Sequence, residues 1–227
     1  MTVEIALRRA RVRYGPLEAL HGLDLPLPAA TVTVLLGRNG SGRTTALRAL
    51  AGTVPLTAGR VVWGGTDVTR LPAHARARRG LRFVPDLRAV YGTLTVAENL
   101  DLAAPGRLDE ALAAYPELEP LLDHRAGTLS GGERRMLGLV RAVLSPTDAP
   151  ARVVLVDEPS LGLSTTVASR TYGLLAALTG PPARAAVVLA EQRVPPGLPP
   201  GSVAYELSRG NLVSGGEITW NVNRGAS

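Results

Sequence analysis

Three stretches of this 227-residue sequence hold the residue types that phosphate chemistry uses. The first, Gly37-Arg38-Asn39-Gly40-Ser41-Gly42-Arg43-Thr44, packs glycines, hydroxyls and cations together. Glycines let successive backbone N–H groups turn inward around an anion, and a following helix adds the partial positive charge of its N-terminus. Thr44 offers a hydroxyl to a magnesium ion that bridges phosphates. The strict pattern asks for Lys where Arg43 stands. Alone, the stretch reads either as a phosphate cradle or as a tight strand–helix connection.

The second stretch is Asp157-Glu158, placed directly after Val153-Val154-Leu155-Val156. In an open α/β sheet, ligands bind at the carboxyl ends of strands. One carboxylate there can hold magnesium while the next orients and deprotonates a water. By itself such a pair reads more simply as helix capping; after a phosphate loop the catalytic reading gains. The third stretch, Leu129-Ser130-Gly131-Gly132-Glu133, opens a helix with Ser130 as N-cap.

These residues need particular elements to carry them. Residues 2–14 and 20–27 alternate apolar and polar positions and suit two strands of an antiparallel layer, with a turn at Gly15-Pro16. Thr31 to Leu36 is a short apolar, β-branched run, a buried strand leading into the glycine loop, and 44–50 has helical spacing. Strands are expected at 60–63, 153–156, 185–189, 203–207 and 211–213, and helices at 131–144 and 165–178. Residues 95–125, broken by Pro105, Pro116 and Pro120, read as short helices of an inserted subdomain. Buried strands alternating with helices define an α/β fold with a mostly parallel core sheet. The expected organisation is one domain over 1–217, a helical subdomain over about 87–145, and a short tail at 218–227.

Composition narrows the chemistry. All 25 Lys+Arg residues are arginine, so a lysine amine takes no part in any reaction. Absence of cysteine removes disulfides and thiolate ligands, and three histidines (His21, His74, His124) leave little for a zinc site. Aromatic content of 4% leaves few stacking platforms for bases. No apolar run reaches a membrane-spanning length, and Met1 to Arg9 has no apolar core of the signal-peptide kind. The net charge of +6 comes from scattered arginines; the groups at Arg8, Arg9, Arg11 and Arg13 and at Arg76, Arg78, Arg79 and Arg82 read as solvated faces, with half of the first group turned outward from a strand. An intracellular globular protein is expected.

With the three stretches in this order, the sequence resembles the ATP-binding cassette (ABC) ATPases, P-loop NTPases, over about residues 3–217. Within them it looks most like the second ATPase subunit of branched-chain amino-acid importers. The likeness also runs through Ala19-Leu20-His21-Gly22, Leu71-Pro72-Ala73-His74, Val84-Pro85, Leu94 to Leu100, Glu158-Pro159-Ser160-Leu161-Gly162-Leu163 and Glu191-Gln192. The resemblance implies that Tyr14 stacks on adenine and that Gly37, Arg38, Asn39, Gly40, Ser41, Gly42, Arg43, Thr44 and Thr45 cradle the triphosphate. It implies Glu158 as general base, Gln192 as γ-phosphate sensor, and Thr44, Asp157 and Asp86 around Mg2+. Ser130, Gly131, Gly132 and Glu133 would face ATP bound to a second ATPase subunit, in a head-to-tail homo- or heterodimer. Ser160 to Leu163 would lie at the seam of that dimer, and residues 84–92 would couple to transmembrane permease subunits, themselves fed by a solute-binding protein. The implied place is the cytoplasmic face of the membrane, held peripherally.

Departures from the family pattern qualify this. Arg43 keeps the charge of lysine but is longer, planar and bidentate, so binding is expected to survive in part and phosphoryl-transfer geometry to suffer. Asp86 stands where many cassettes carry Gln, Gln192 where most carry a switch histidine, and Ser164 where many carry Asp. Pro195, Pro196, Pro199 and Pro200 leave no room for a helix after Gln192. The leading reading is an ATPase coupled to import of branched-chain amino acids or a similar small solute. The alternative is an ATP-binding, poorly hydrolysing regulatory cassette paired with a competent subunit. A nucleic-acid or ribosome cassette is disfavoured by the missing second cassette, and a GTPase by the missing lysine.

Overall fold

The fully apolar runs become parallel strands because both of their faces are covered. In the computed structural model, which describes residues 2–85, 89–144 and 150–218, β3 (Val32–Leu36), β6 (Leu81–Val84), β7 (Val153–Asp157), β8 (Ala186–Glu191) and β9 (Val203–Ser208) form a parallel sheet. β10 (Asn211–Glu217) pairs antiparallel at its edge, giving the order β10-β9-β3-β8-β7-β6. Alternate residues serve opposite cores. Val34, Val154, Val156, Val187 and Leu189 point to one, and Leu35, Val153, Leu155 and Val188 to the other.

The second core is closed by the antiparallel layer. β1 (Val3–Tyr14) pairs with β2 (Leu17–Pro28) and with β4 (Ala58–Trp63), and β5 (Thr66–Asp67) completes the order β2-β1-β4-β5. Helix α1 (Arg43–Ala51) lies between the two sheets, its Ala46, Leu47 and Leu50 fully buried. The first core is covered by α3 (Val96–Ala103), α4 (Leu108–Ala114), α5 (Gly131–Val143) and α6 (Thr165–Ala177), with 3-10 turns at Pro116–Leu121 and Ala126–Thr128. Among these, α3 and α5 each begin with a reciprocal capping box, Thr95 with Glu98 and Ser130 with Glu133. Between β8 and β9 the proline-rich segment forms turns and no helix. No helix among the described residues is long and apolar enough to cross a membrane.

Two arginine expectations are corrected. All four of Arg8, Arg9, Arg11 and Arg13 are exposed rather than half of them. A bulge between Leu7 and Ala10, with Arg9 at φ 46°, adds a residue to the outer side. Arg76, assigned to a solvated group, is only 2% exposed. It lies on α2 (Ala73–Arg78), a helix too short to show an apolar period. Its guanidinium donates to the carbonyls of Ala49 and Leu50 at the end of α1 and to those of Val68, Thr69 and Leu71. The Leu50 carbonyl, in the helix's last turn, gains a partner in this way, and the Ala49 carbonyl gains one beside Gly52 N–H. Neither α2 nor β6 was anticipated, and β8 runs two residues beyond the expected Leu189, which places Glu191 inside the strand end.

Candidate functional site

The glycine loop leaves the carboxyl end of β3 and enters α1, whose first turn carries no acid. Its positive end is therefore open to an anion. Tight backbone approach explains Gly37: a Cβ there would stand 2.5 Å from both the Leu207 carbonyl and Ser41 Oγ. A cleft of about 760 Å³ runs along the loop, lined by Tyr14, Pro16, His21, Arg38 to Thr45, Glu158 and Arg209. A second cleft, about 880 Å³, lies on the other flank against Gln192, Arg193 and Glu206. Arg43 and Thr44 line the first cleft and not the second, which makes the first the candidate phosphate side.

Inside that cleft the polar atoms are poised for an anion. Arg43 is 5% exposed, and its Nη2 donates to Glu158 Oε1 at 3.2 Å. Its Nη1 and the Ser41 hydroxyl are buried and have no hydrogen-bond partner among the described residues. Buried donors of this kind are costly unless a ligand satisfies them, and phosphate oxygens match both. Thr44 Oγ1 donates to Asp157 Oδ1 at 3.2 Å, pairing a hydroxyl with a carboxylate, the hard oxygen donors that magnesium takes. Asp157 is buried at the end of β7, and its carbonyl accepts from Arg135 Nη1 at 2.8 Å. Glu158 follows with φ 49°, a left-handed conformation rare outside glycine and frequent at functional sites. Its N–H donates to the Ala190 carbonyl, which anchors the turn to β8.

Gln192 comes within reach of the loop: its Nε2 donates to Asn39 Oδ1 at 3.3 Å. Tyr14 is 41% exposed at the outer end of the cleft. The structure thus brings Tyr14, Arg38 to Thr45 and Glu158 to one cleft, with Asp157 bonded to Thr44; Gly37 and Gln192 line the other flank, where Gln192 meets the loop at Asn39. Ser130, Gly131, Gly132 and Glu133 line neither cleft. They form the start of α5, with Ser130 and Gly131 exposed and Gly132 and Glu133 half-buried, and it packs on the loop after Glu158. A Cβ on Gly132 would meet the Gly162 carbonyl at 2.5 Å. Asp86 lies outside the described residues.

Sequence reasoning missed Glu191. It is buried, and its Oε1 accepts from Tyr172 and Ser160. The available signal was an acid at the end of an apolar strand, beside the residue assigned to the γ-phosphate.

The chain matches the ABC transporter family over residues 20–161. It is 34% identical over 211 residues to the probable branched-chain amino acid transport ATP-binding protein LivF of Archaeoglobus fulgidus, covering 89% of this chain and 87% of that protein. It is 31% identical over 208 residues to the high-affinity branched-chain amino acid transport ATP-binding protein BraG of Pseudomonas aeruginosa, covering 88% and 87%. The lipopolysaccharide export system ATP-binding protein LptB of Escherichia coli is 34% identical over 160 residues, 66% of this chain and 65% of that one. A solved dimeric ATP-binding cassette in a post-hydrolysis state, bound to ADP and Pi, shares the fold with a TM-score of 0.80 at 20% identity, over 95% of this chain and 99% of that one.

Fold and site together define an α/β P-loop ATPase domain. The chain belongs to the ABC transporter family, as an ATP-binding subunit of that family.

Proposed function

We propose that this chain hydrolyses ATP to drive import of branched-chain amino acids or a similar small solute. The observation that carries the hydrolytic reading is the pair of contacts by which the glycine loop's Arg43 and Thr44 meet Glu158 and Asp157. Gly37 to Thr45 hold the triphosphate through backbone N–H groups, the α1 N-terminus and the unpartnered Arg43 and Ser41 donors. Tyr14 supports the adenine. Glu158 takes the proton of the attacking water, and Gln192, which reaches the loop at Asn39 from the other flank, acts as γ-phosphate sensor. Thr44 and Asp157, with Asp86 from the sequence pattern, are the residues suited to Mg2+. When bound, that ion neutralises charge on the phosphates.

The Ser130 to Glu133 helix start, exposed at Ser130 and Gly131 and apart from the chain's own cleft, supports a head-to-tail arrangement with a second ATPase subunit. There it would face the partner's nucleotide. Docking to permease subunits through residues 84–92 is supported by a groove of about 620 Å³ that includes His74, Phe83, Tyr91 and Arg141. The helical segment between β6 and β7 would act as the subdomain bearing both faces, peripheral to the cytoplasmic side of the membrane, with a solute-binding protein as indirect partner and no nucleic acid. The amino-acid cargo rests on the likeness to LivF and BraG along most of the chain.

One observation favours a second reading. Arg43 Nη2 engages Glu158, which would hold the base away from water in a slow, regulatory cassette. The test is nucleotide-dependent leucine, isoleucine and valine uptake by the complex of this chain with its membrane subunits, with ATP turnover measured in parallel. The proposal expects both. Tight ATP binding without turnover, relieved strongly by Arg43→Lys, would assign the regulatory role instead.

A further inference from the structure

The carboxyl end of β8 carries an acid that the proposed chemistry leaves unused. Glu191 is 7% exposed, and a single oxygen of it, Oε1, accepts three hydrogen bonds. Tyr172 OH donates at 2.6 Å, Ser160 Oγ at 2.9 Å and Ser160 N–H at 3.3 Å. Taking a carboxylate out of water is costly unless donors replace the water. Burial first, and the Glu191 bond second, hold the Tyr172 hydroxyl above its ordinary pKa, so it remains a donor.

The position of these donors gives the carboxylate its meaning. Ser160 lies two residues after Glu158, whose φ of 49° is unfavourable for a side chain of that size. Such a conformation persists only where neighbours over-determine it. Here Glu158 N–H is tied to Ala190 and Ser160 to Glu191, successive residues of one strand. Tight turns follow, Leu161 N–H to the Glu158 carbonyl and Leu163 N–H to the Ser160 carbonyl, before Gly162 meets Gly132 of α5. Ser164 then caps α6, and Tyr172 of α6 returns to the same oxygen. Just past the end of β8, Gln192 reaches Asn39 of the glycine loop. One strand end thus touches the phosphate loop with Gln192 and the Glu158–Gly162 turn with Glu191.

We propose that Glu191 is a positioning residue: through Ser160 and Tyr172 it fixes the Glu158–Gly162 turn, setting both the Glu158 carboxylate and the face presented beside Gly132. This rests on the reading of Glu158 as the general base.

The test compares Glu191→Ala and Glu191→Gln with the natural chain, by hydrogen exchange of the full chain and by ATP turnover of the assembled complex. Glu191→Ala is expected to speed amide exchange at Ser160 to Leu163 about tenfold or more while α1 amides keep their rates. It should lower kcat about tenfold with KM for ATP moved less than about twofold, since binding groups are untouched. Glu191→Gln, whose amide oxygen accepts the same donors, should keep most of both properties. Unchanged exchange at 160–163 in Glu191→Ala, or equal damage by Gln and Ala, overturns the proposal. If Glu191→Ala does not fold, Tyr172→Phe removes one donor; faster exchange confined to the same turn supports the proposal, and none overturns it. Absence of turnover in the natural complex would defeat the hydrolytic reading alone, because the exchange measurement decides the positioning claim without it.

Discussion

Arg43 and Glu158, 115 residues apart in sequence, meet at 3.2 Å in the cleft beside the glycine loop, and only one side of the Arg43 fork is used. Nη2 holds the carboxylate, while Nη1 is buried with no partner among the described residues. The planar fork would let one side chain face the proposed base and a phosphate together, which the point charge of lysine does differently. A lysine-free chain therefore retains a cation at the loop with an added tie to the proposed base.

That arrangement gives a binding prediction. Arg43→Met should weaken ATP binding by on the order of 10–100-fold, the value of one or two charge-assisted hydrogen bonds. Arg43→Lys should restore most of the affinity and change turnover less than about threefold. Equilibrium titration with a fluorescent ATP analogue checks the first, steady-state turnover the second.

Arg76 makes a separate, structural claim. Its five carbonyl acceptors join the end of α1 to the β5–α2 connection. Arg76→Met leaves those carbonyls buried, with an expected loss on the order of 3–4 kcal/mol in urea unfolding. Arg76→Lys should lose on the order of 2 kcal/mol or more, because a compact ammonium cannot span the five acceptors.

Tyr115 predicts the alkaline limb of stability. It is 1% exposed, its hydroxyl lies 2.8 Å from Thr171 Oγ1, and burial pushes its pKa up to about 12. The folded state holds the proton more tightly than the unfolded chain, whose tyrosine titrates near 10. This contribution is complete below about pH 10 and is lost as pH rises toward about 12, on the order of 2–3 kcal/mol. Tyr115→Phe should flatten that limb while costing on the order of 1 kcal/mol at neutral pH for the unpaired Thr171 hydroxyl. Unfolding midpoints across pH 8–12 check both.

Much of this was legible in the sequence where a local pattern carries its own physics. Four consecutive apolar residues before Asp157 gave a strand buried on both faces, and Ser130 with Glu133 gave a helix start. The short α2 and β6 show too few residues for a period, and Arg76 reads as solvated until its carbonyl partners, up to 27 residues away, are in place. The bulge at Arg9 changed which side of β1 the arginines face, and no residue type announces it. Glu191 stayed hidden because its partners lie 19 and 31 residues away. Spacing singled out the loop and the Asp157-Glu158 pair, which the fold brings within hydrogen-bond reach; long-range packing supplied what holds them.

The most direct test of the account is ATP turnover by the assembled complex carrying Glu158→Gln. Gln keeps the size of the side chain and an oxygen for Arg43 but cannot accept the proton of water. The account predicts ATP affinity within about threefold of the natural chain and a kcat lower by on the order of 10²–10⁴-fold, the usual worth of a general base. Turnover unchanged by Glu158→Gln would contradict it.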